Sequence, residues 1–301
     1  MPFWKTQRAW SKLRMTAAIA VAGFFIFGDV PAQSTEAGLK QLTVIDSTAA
    51  PWPSIGRVNV AGFRRTSMCT GTLIAPNLVL TAAHCLFSRV SGKPFNPEDV
   101  IFVAGVRRDA YSARIHASCF KIPEGYVFSE TPQLKDIHND VAIVVLSEAA
   151  KLPLVPQIGG GEEQKVTPNS SFMAVGYRRS RRFLPTADPQ CRVIGTVNGS
   201  WVTDCGTEQG ASGGPIFLQE NGTMKVAAVM SAKIDNVRSA VVPHGKWQSL
   251  LKNPSCTPVQ DAGASDLTEQ AAVTSAETPA RPGQAAGGFS LRPAFDLNES
   301  D

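Results

Sequence analysis

The sequence predicts an all-β protein, and two patterns carry that prediction. Between Ile55 and Ile234 the chain runs in short apolar stretches of strand length, broken by Gly, Pro, Asn and Asp. Val58–Gly62, Met68–Ile74, Leu78–Ala82, Val100–Val106, Val141–Leu146, Phe172–Tyr177, Val193–Val197 and Val226–Met230 are the clearest. They are rich in β-branched residues, which suit a pleated, half-buried surface. No long amphipathic helix interrupts them, which points to a sandwich or a pair of barrels. One helix is expected late, over His244–Asn253, where Trp247, Leu250 and Leu251 share a face at i, i+3, i+4.

The ends differ in character from this middle. Lys5, Arg8, Lys12 and Arg14 precede an apolar run of thirteen residues, Met15 to Phe27. A membrane-spanning helix needs about 20 residues, so the run reads as the core of a secretory signal. Val30-Pro31-Ala32 then offers small residues for cleavage, with a mature start near Gln33. An uncleaved anchor is the alternative. Residues 33–53 show no clear period and read as a lead-in arm. Beyond Cys256 the chain is rich in Ala, Gly, Pro, Thr, Ser and acids. Such a segment buries too little apolar surface to offset its chain entropy, so a disordered tail is expected. The division is therefore a signal over 1–32, one folded domain over 33–256, and an acidic tail over 257–301.

Charge narrows the choice of partner. The whole chain carries +4; residues 1–32 carry +3 and residues 257–301 carry −5, leaving +6 in the middle. That bias is too weak to imply nucleic acid. No stable membrane insertion is expected once the signal is removed, and a monomer acting on proteins or peptides is expected. Export also frames the cysteines. Cys69, Cys85, Cys119, Cys191, Cys205 and Cys256 are even in number, as disulfides require, though six cysteines allow fifteen pairings. No CxxC pair or zinc-finger spacing occurs, so neither a metal nor any other cofactor is expected.

Three segments carry chemistry. They are Cys69-Thr70-Gly71-Thr72-Leu73-Ile74 followed by Thr81-Ala82-Ala83-His84-Cys85, then Asn139-Asp140-Val141-Ala142-Ile143, and Gly210-Ala211-Ser212-Gly213-Gly214-Pro215. Peptide cleavage by a serine needs a hydroxyl, a base to take its proton and a carboxylate to orient that base. Ser212, His84 and Asp140 supply these types. Glycines around Ser212 permit a sharp turn and close approach to substrate. The N–H groups of Gly210 and Ser212 are the natural donors to a developing oxyanion.

These motifs resemble the trypsin/chymotrypsin family of serine proteases, over about residues 54–252. The histidine motif is unaltered, and the order His, Asp, Ser agrees. Alone, a GxSxG segment would also suit α/β-hydrolases. The resemblance implies two six-stranded antiparallel β-barrels with a short C-terminal helix and the triad in the cleft between barrels. It implies that His84 is general base and then acid, and that Asp140 holds its tautomer. It also implies a Cys69–Cys85 bridge around the histidine loop. Cys205, seven residues before Ser212, resembles bacterial secreted members more than animal trypsin. Cys191 and Cys205 flank an expected hairpin turning at Asn198-Gly199. Cys119 then remains for Cys256.

Departures from the family pattern are informative. Animal digestive members carry an aspartate before the serine, which binds the terminal ammonium released by zymogen cleavage. Ala211 stands there, and no basic residue followed by Ile-Val-Gly-Gly occurs. The nearest candidate is Ser54-Ile55-Gly56-Arg57-Val58, so activation by cleavage at Arg57 is not expected. In the specificity pocket Gly206 replaces the aspartate that selects Arg or Lys. Thr207, Ser231 and Lys233 are expected to line the same pocket. Lys233 favours an acidic substrate side chain or points to solvent.

Several residues have plainer readings. His138 and Asp136 lie near Asp140, but Asp136 lacks the following Val-Ala and His138 reads as a loop residue. His116 and His244 read as surface or packing residues. Arg178-Arg179-Ser180-Arg181-Arg182 reads as a solvated loop, with self-cleavage or anion docking as alternatives. The function expected is a serine endopeptidase, secreted or periplasmic. Two alternatives stand beside it, an inactive protease-like binding protein and a serine esterase on the same fold.

Overall fold

The computed structural model describes residues 42–62, 65–235, 237–252 and 255–257. The signal expected over 1–32 and the tail beyond Thr257 lie outside them. Fourteen strands, a few 3-10 turns and two short α-helices make up the described chain. In order the strands are β1 (Thr43–Val44), β2 (Ile55–Gly62), β3 (Arg65–Ala75), β4 (Leu78–Thr81), β5 (Val100–Ala104), β6 (Ala113–Lys121) and β7 (Ala142–Leu146). There follow β8 (Phe172–Arg178), β9 (Arg181–Cys191), β10 (Val193–Val197), β11 (Ser200–Thr203), β12 (Pro215–Glu220), β13 (Thr223–Lys233) and β14 (Ser239–Pro243). The helices are α1 (Gly160–Glu163) and α2 (Gln248–Lys252).

The first half closes into a six-stranded barrel in the order β2-β3-β4-β7-β6-β5. The second half is one antiparallel sheet, ordered β1-β9-β8-β12-β13-β14-β11-β10. Two short strands at its edges, β1 and β10, raise the count from six to eight. Period-two alternation explains how one strand serves two cores. On β7, Ala142, Val144 and Leu146 face the first barrel's core. Ile143, between them, joins a second cluster shared with Val175, Tyr177, Phe217, Val229 and Val242. That shared cluster packs the two halves together. A third cluster holds Phe172, Trp201, Met230, Val241 and the Cys191–Cys205 bridge.

Turn chemistry fixes the hairpins. Asn198 and Gly199 have φ of 49° and 79°, and Asn221 and Gly222 have 50° and 74°. Left-handed pairs of this kind match the strand twist, and Asn-Gly adopts them most readily. The late helix begins as a 3-10 turn over His244–Lys246 and becomes α-helical only in α2. A helix of five residues has no stability of its own. Trp247 anchors it, fully buried in the shared cluster, with its indole N–H donating to Gln157 Oε1 at 3.0 Å.

Six strands escape a reading of apolar runs. On β6, Ile115 and Ala117 point inward while Arg114 and His116 are exposed, so half its residues are polar. The strand β9 contains Pro185 and Pro189, which argue against an interior strand. Its partner β1 pairs only with Thr186 and Ala187, between the two prolines. The lead-in arm is partly built into the fold here: Ile45 is buried and its N–H donates to Pro185 O at 2.9 Å. Strands β11, β12 and β14 are four to six residues long. Arg57 sits within β2, paired on one side to Thr70 and on the other to Val103. Cleavage there would cut a barrel strand bonded on both edges.

Disulfides tie the ends of these elements. Cys69 on β3 bonds Cys85, Cys191 bonds Cys205 across the β10–β11 hairpin, and Cys119 on β6 bonds Cys256. Thr257 adds three bonds at the same place: its N–H donates to Phe120 O at 2.7 Å, and its hydroxyl accepts from Ile122 N at 2.9 Å and donates to Ile122 O at 3.3 Å. The end of the described chain is thereby pinned beside the first barrel.

Candidate active site

His84 lies in a 3-10 turn, Ala83–Leu86, that follows β4 immediately. The Cys69–Cys85 bridge fastens this turn to β3, so the histidine backbone cannot drift from the barrel. Asp140 caps the 3-10 turn Leu134–Asn139 just before β7. Since β4 and β7 pair, with Thr81 opposite Ala142, the two side chains emerge at one barrel rim. His84 Nδ1 lies 2.7 Å from Asp140 Oδ2, and the His84 backbone N–H donates to Oδ1 at 2.8 Å. A third donor, the hydroxyl of Ser231 on β13, reaches Oδ2 from the second half. Asp140 is 5% exposed and Ser231 2%, so the carboxylate is held by three donors away from water.

Electrostatics follow from this packing. Burial pushes the His84 imidazole down, but the Asp140 charge and hydrogen bond outweigh it, and the net shift is upward. Arg89 opposes that rise weakly. Burial likewise pushes the Asp140 carboxyl up. The charge of His84 and the bonds from His84 and Ser231 reverse it, leaving Asp140 below its ordinary value.

Ser212 enters from the loop between β11 and β12. Its hydroxyl donates to Ser231 O at 3.3 Å, and among the described residues no hydrogen bond joins it to the imidazole. Catalytic hydrogen bonds are commonly long in empty sites and tighten around substrate. The loop itself is tightly tied. Thr70, fully buried on β3, donates its N–H to Ser212 O and its hydroxyl to Gly210 O, both at 2.8 Å. The same hydroxyl accepts from Tyr177 N at 2.9 Å, and Thr81 Oγ1 donates to Thr70 O at 2.8 Å. Neither Gly210 N–H nor Ser212 N–H has an acceptor among the described residues. Thr70 thus joins both halves of the fold to the serine loop. In the sequence it lies within the Cys69–Ile74 segment, with no role of its own marked.

Gly213 shows how closely the two halves meet here. Its φ is +82°, and a Cβ would overlap Thr81 Oγ1 and the Thr70 carbonyl. Gly213→Ala is therefore expected to cost more than about 3 kcal/mol, since backbone strain and overpacking add. A fall in the midpoint of thermal unfolding of many degrees, with lost activity, is the measurable outcome.

One cavity of about 560 Å³ gathers the site. His84, Asp140, Ser212, Thr207, Ser231 and Lys233 line it. Gly206 does not reach its surface. It lies behind, with its N–H donating to Asp188 Oδ2 at 2.7 Å and its carbonyl accepting from Arg178 Nη2 at 2.9 Å. The facing wall comes from residues 125–139, of which the motifs mark only Asn139. Tyr126 and Phe128 there pack on Phe87, at ring separations of 5.2 and 5.6 Å. His138 and Asp136 also line the cavity, and His138 Nδ1 lies 2.9 Å from Lys135 O. His116 is exposed and His244 buried. Arg178 departs from the solvated-loop reading: it closes β8, is 2% exposed, and donates to Thr186 and Gly206.

A metal has little purchase here. Cys69, His84 and Cys85 bring ligand-type atoms within 4.8 Å of one another, but the disulfide consumes both sulfurs.

Comparison with known proteins bears on the fold. The family model described as Trypsin matches residues 45–244. Two solved structures from Vibrio cholerae share the fold. The VesB protease is 17% identical, with a TM-score of 0.55, over 71% of this chain and 66% of that one. The secreted serine protease VesC is 19% identical, with a TM-score of 0.54, over 70% of this chain and 47% of its own. The chain thus spans less than two thirds of either neighbour. With its histidine turn, aspartate rim and serine loop on a barrel and a facing sheet, the chain belongs to the trypsin family.

Proposed function

We propose that this protein is an exported serine endopeptidase that forms an acyl-enzyme on Ser212. His84 takes the Ser212 proton and returns it to the leaving amine; Asp140 holds the Nδ1–H tautomer and stabilises the imidazolium. The N–H groups of Gly210 and Ser212 receive the oxyanion. The observation that carries the reading is the hydrogen-bonded His84–Asp140–Ser231 row, with Ser212 lining the same cavity. On this reading the Ser212 hydroxyl turns from Ser231 O to His84 Nε2 before it attacks. Thr207, Ser231 and Lys233 form the nearer pocket wall, with Gly206 behind it. Residue 206 brings no carboxylate of its own, and the Asp188 carboxylate behind it is faced by the Arg178 guanidinium, so cleavage after Arg or Lys is not favoured.

Export is supported by the N-terminal signal pattern, the three disulfides and the secreted VesC neighbour. Among the described residues no helix is long and apolar enough to cross a membrane. The deciding experiment incubates the exported protein with casein, a peptide library and a short ester. Cleavage of internal peptide bonds is expected, and the library reads the preferred residue. Ester hydrolysis without any peptide cleavage would refute the endopeptidase reading.

A further inference from the structure

The serine loop is held from a side that the motifs do not mention. Three consecutive residues at the β8–β9 turn bond three residues of the loop. Arg178 Nη2 donates to Gly206 O at 2.9 Å. The Arg179 N–H donates to Gln209 O at 2.7 Å, and its side chain reaches Gln209 Oε1 at 3.1 Å. Ser180 grips Glu208 twice, its N–H on Oε1 at 2.8 Å and its hydroxyl on Oε2 at 2.6 Å. Behind them Asp188 accepts the Gly206 N–H. Arg178 is buried, which pulls its guanidinium below the ordinary value, and the carboxylates of Glu208 and Asp188 oppose that shift.

The Arg179 bond has a direct stereochemical consequence. The peptide joining Gln209 to Gly210 is planar and trans, so its C=O and N–H point opposite ways. Anchoring the Gln209 carbonyl on the β8–β9 turn aims the Gly210 N–H away from that turn. Gly210 reaches this geometry at φ +95°, where a Cβ would sit 2.5 Å from Met68 Cε. On the other side Thr70 Oγ1 fixes the next carbonyl. Ala211, 3% exposed, packs against Gly176 and offers no carboxylate for an incoming ammonium.

We propose that the β8–β9 turn keeps the oxyanion amides formed, with Arg178 as an internal cation and Ser180–Glu208 as the latch, in place of a terminal ammonium. This rests on the endopeptidase reading. Arg179, Ser180 and Glu208 are positioning residues: they touch the loop and not the reacting atoms. Loosening them lets the Gln209–Gly210 peptide rotate and removes one oxyanion donor for part of the time.

The test compares Glu208→Ala, Glu208→Gln, Arg179→Pro and Arg179→Ala in the mature enzyme, on a short chromogenic ester. Arg179→Pro deletes the N–H, whereas Arg179→Ala keeps it. Loss of one oxyanion donor costs about 10²–10³ in kcat, so partial loss should cost about 10- to 100-fold. That fall is expected in kcat, with KM little changed, for Glu208→Ala and Arg179→Pro. Glu208→Gln retains an acceptor for Ser180 and, like Arg179→Ala, should stay within about threefold. If Glu208→Ala and Arg179→Pro keep both fold and kcat, the latch is overturned. Where a variant fails to fold, the wild type still decides. Blocking its α-amino group, selectively near the pKa of about 7.7–8.0, should leave kcat unchanged. A large fall would restore the ammonium and overturn the proposal. A wild type inert to every substrate would instead refute the endopeptidase reading itself.

Discussion

Ser212→Ala is expected to lower kcat by at least about 10⁴-fold while leaving the fold and peptide binding nearly intact. The alanine has no oxygen to attack a carbonyl, and any remaining rate comes from the oxyanion amides and binding alone. The single hydrogen bond lost is the one to Ser231 O at 3.3 Å, and Ser212 is only part-buried, so little stability goes with it. A fluorophosphonate probe should label the wild type and not the variant, with matching unfolding midpoints. His84→Ala should fall by a similar factor, and the double variant by little more, because the groups act as one unit. Equal labelling of wild type and Ser212→Ala would place the nucleophile elsewhere.

The second large effect concerns pH. A protonated imidazole cannot take the serine proton, so the rate falls as pH drops through the His84 pKa. Asp140 lifts that pKa above the ordinary 6.5 despite burial, so the acid limb of kcat/KM should lie above 6.5. Asp140→Asn removes the charge and leaves burial and Arg89, which both push the imidazole down. The limb should then move below 6.5, in the opposite sense. The rate at its optimum should fall by about 10⁴-fold, because asparagine no longer holds the Nδ1–H tautomer. An acid limb unmoved by Asp140→Asn would show that another group sets it.

Particular residues show how the sequence related to the fold. The Asn198-Gly199 hairpin was legible because a left-handed pair has few alternatives to Asn-Gly. Strands such as β7 and β10 were legible because their apolar or β-branched runs are local. Strand β9 was hidden because two prolines argue against it; only its three-dimensional setting, with β1 pairing between them, makes them tolerable. Arg178 was hidden too. Beside three other arginines it reads as solvated, and only the bonds to Thr186 and Gly206 explain its burial. Thr70 lay in the Cys69–Ile74 segment with no role of its own legible, since its bonds to Gly210, Ser212 and Tyr177 reach residues 107 or more positions away.

By itself the sequence determined the all-β class, the family resemblance, and the residue types able to cleave a peptide bond. Those features live in short windows, where side-chain period, turn stereochemistry and motif spacing act locally. Tertiary structure alone decided which donors hold Asp140, which backbone bond turns the Gly210 N–H, and that Gly206 stands behind the cavity and not on its wall. Such contacts join segments far apart in the chain, and their geometry is set by how two packed halves meet, which no local pattern encodes.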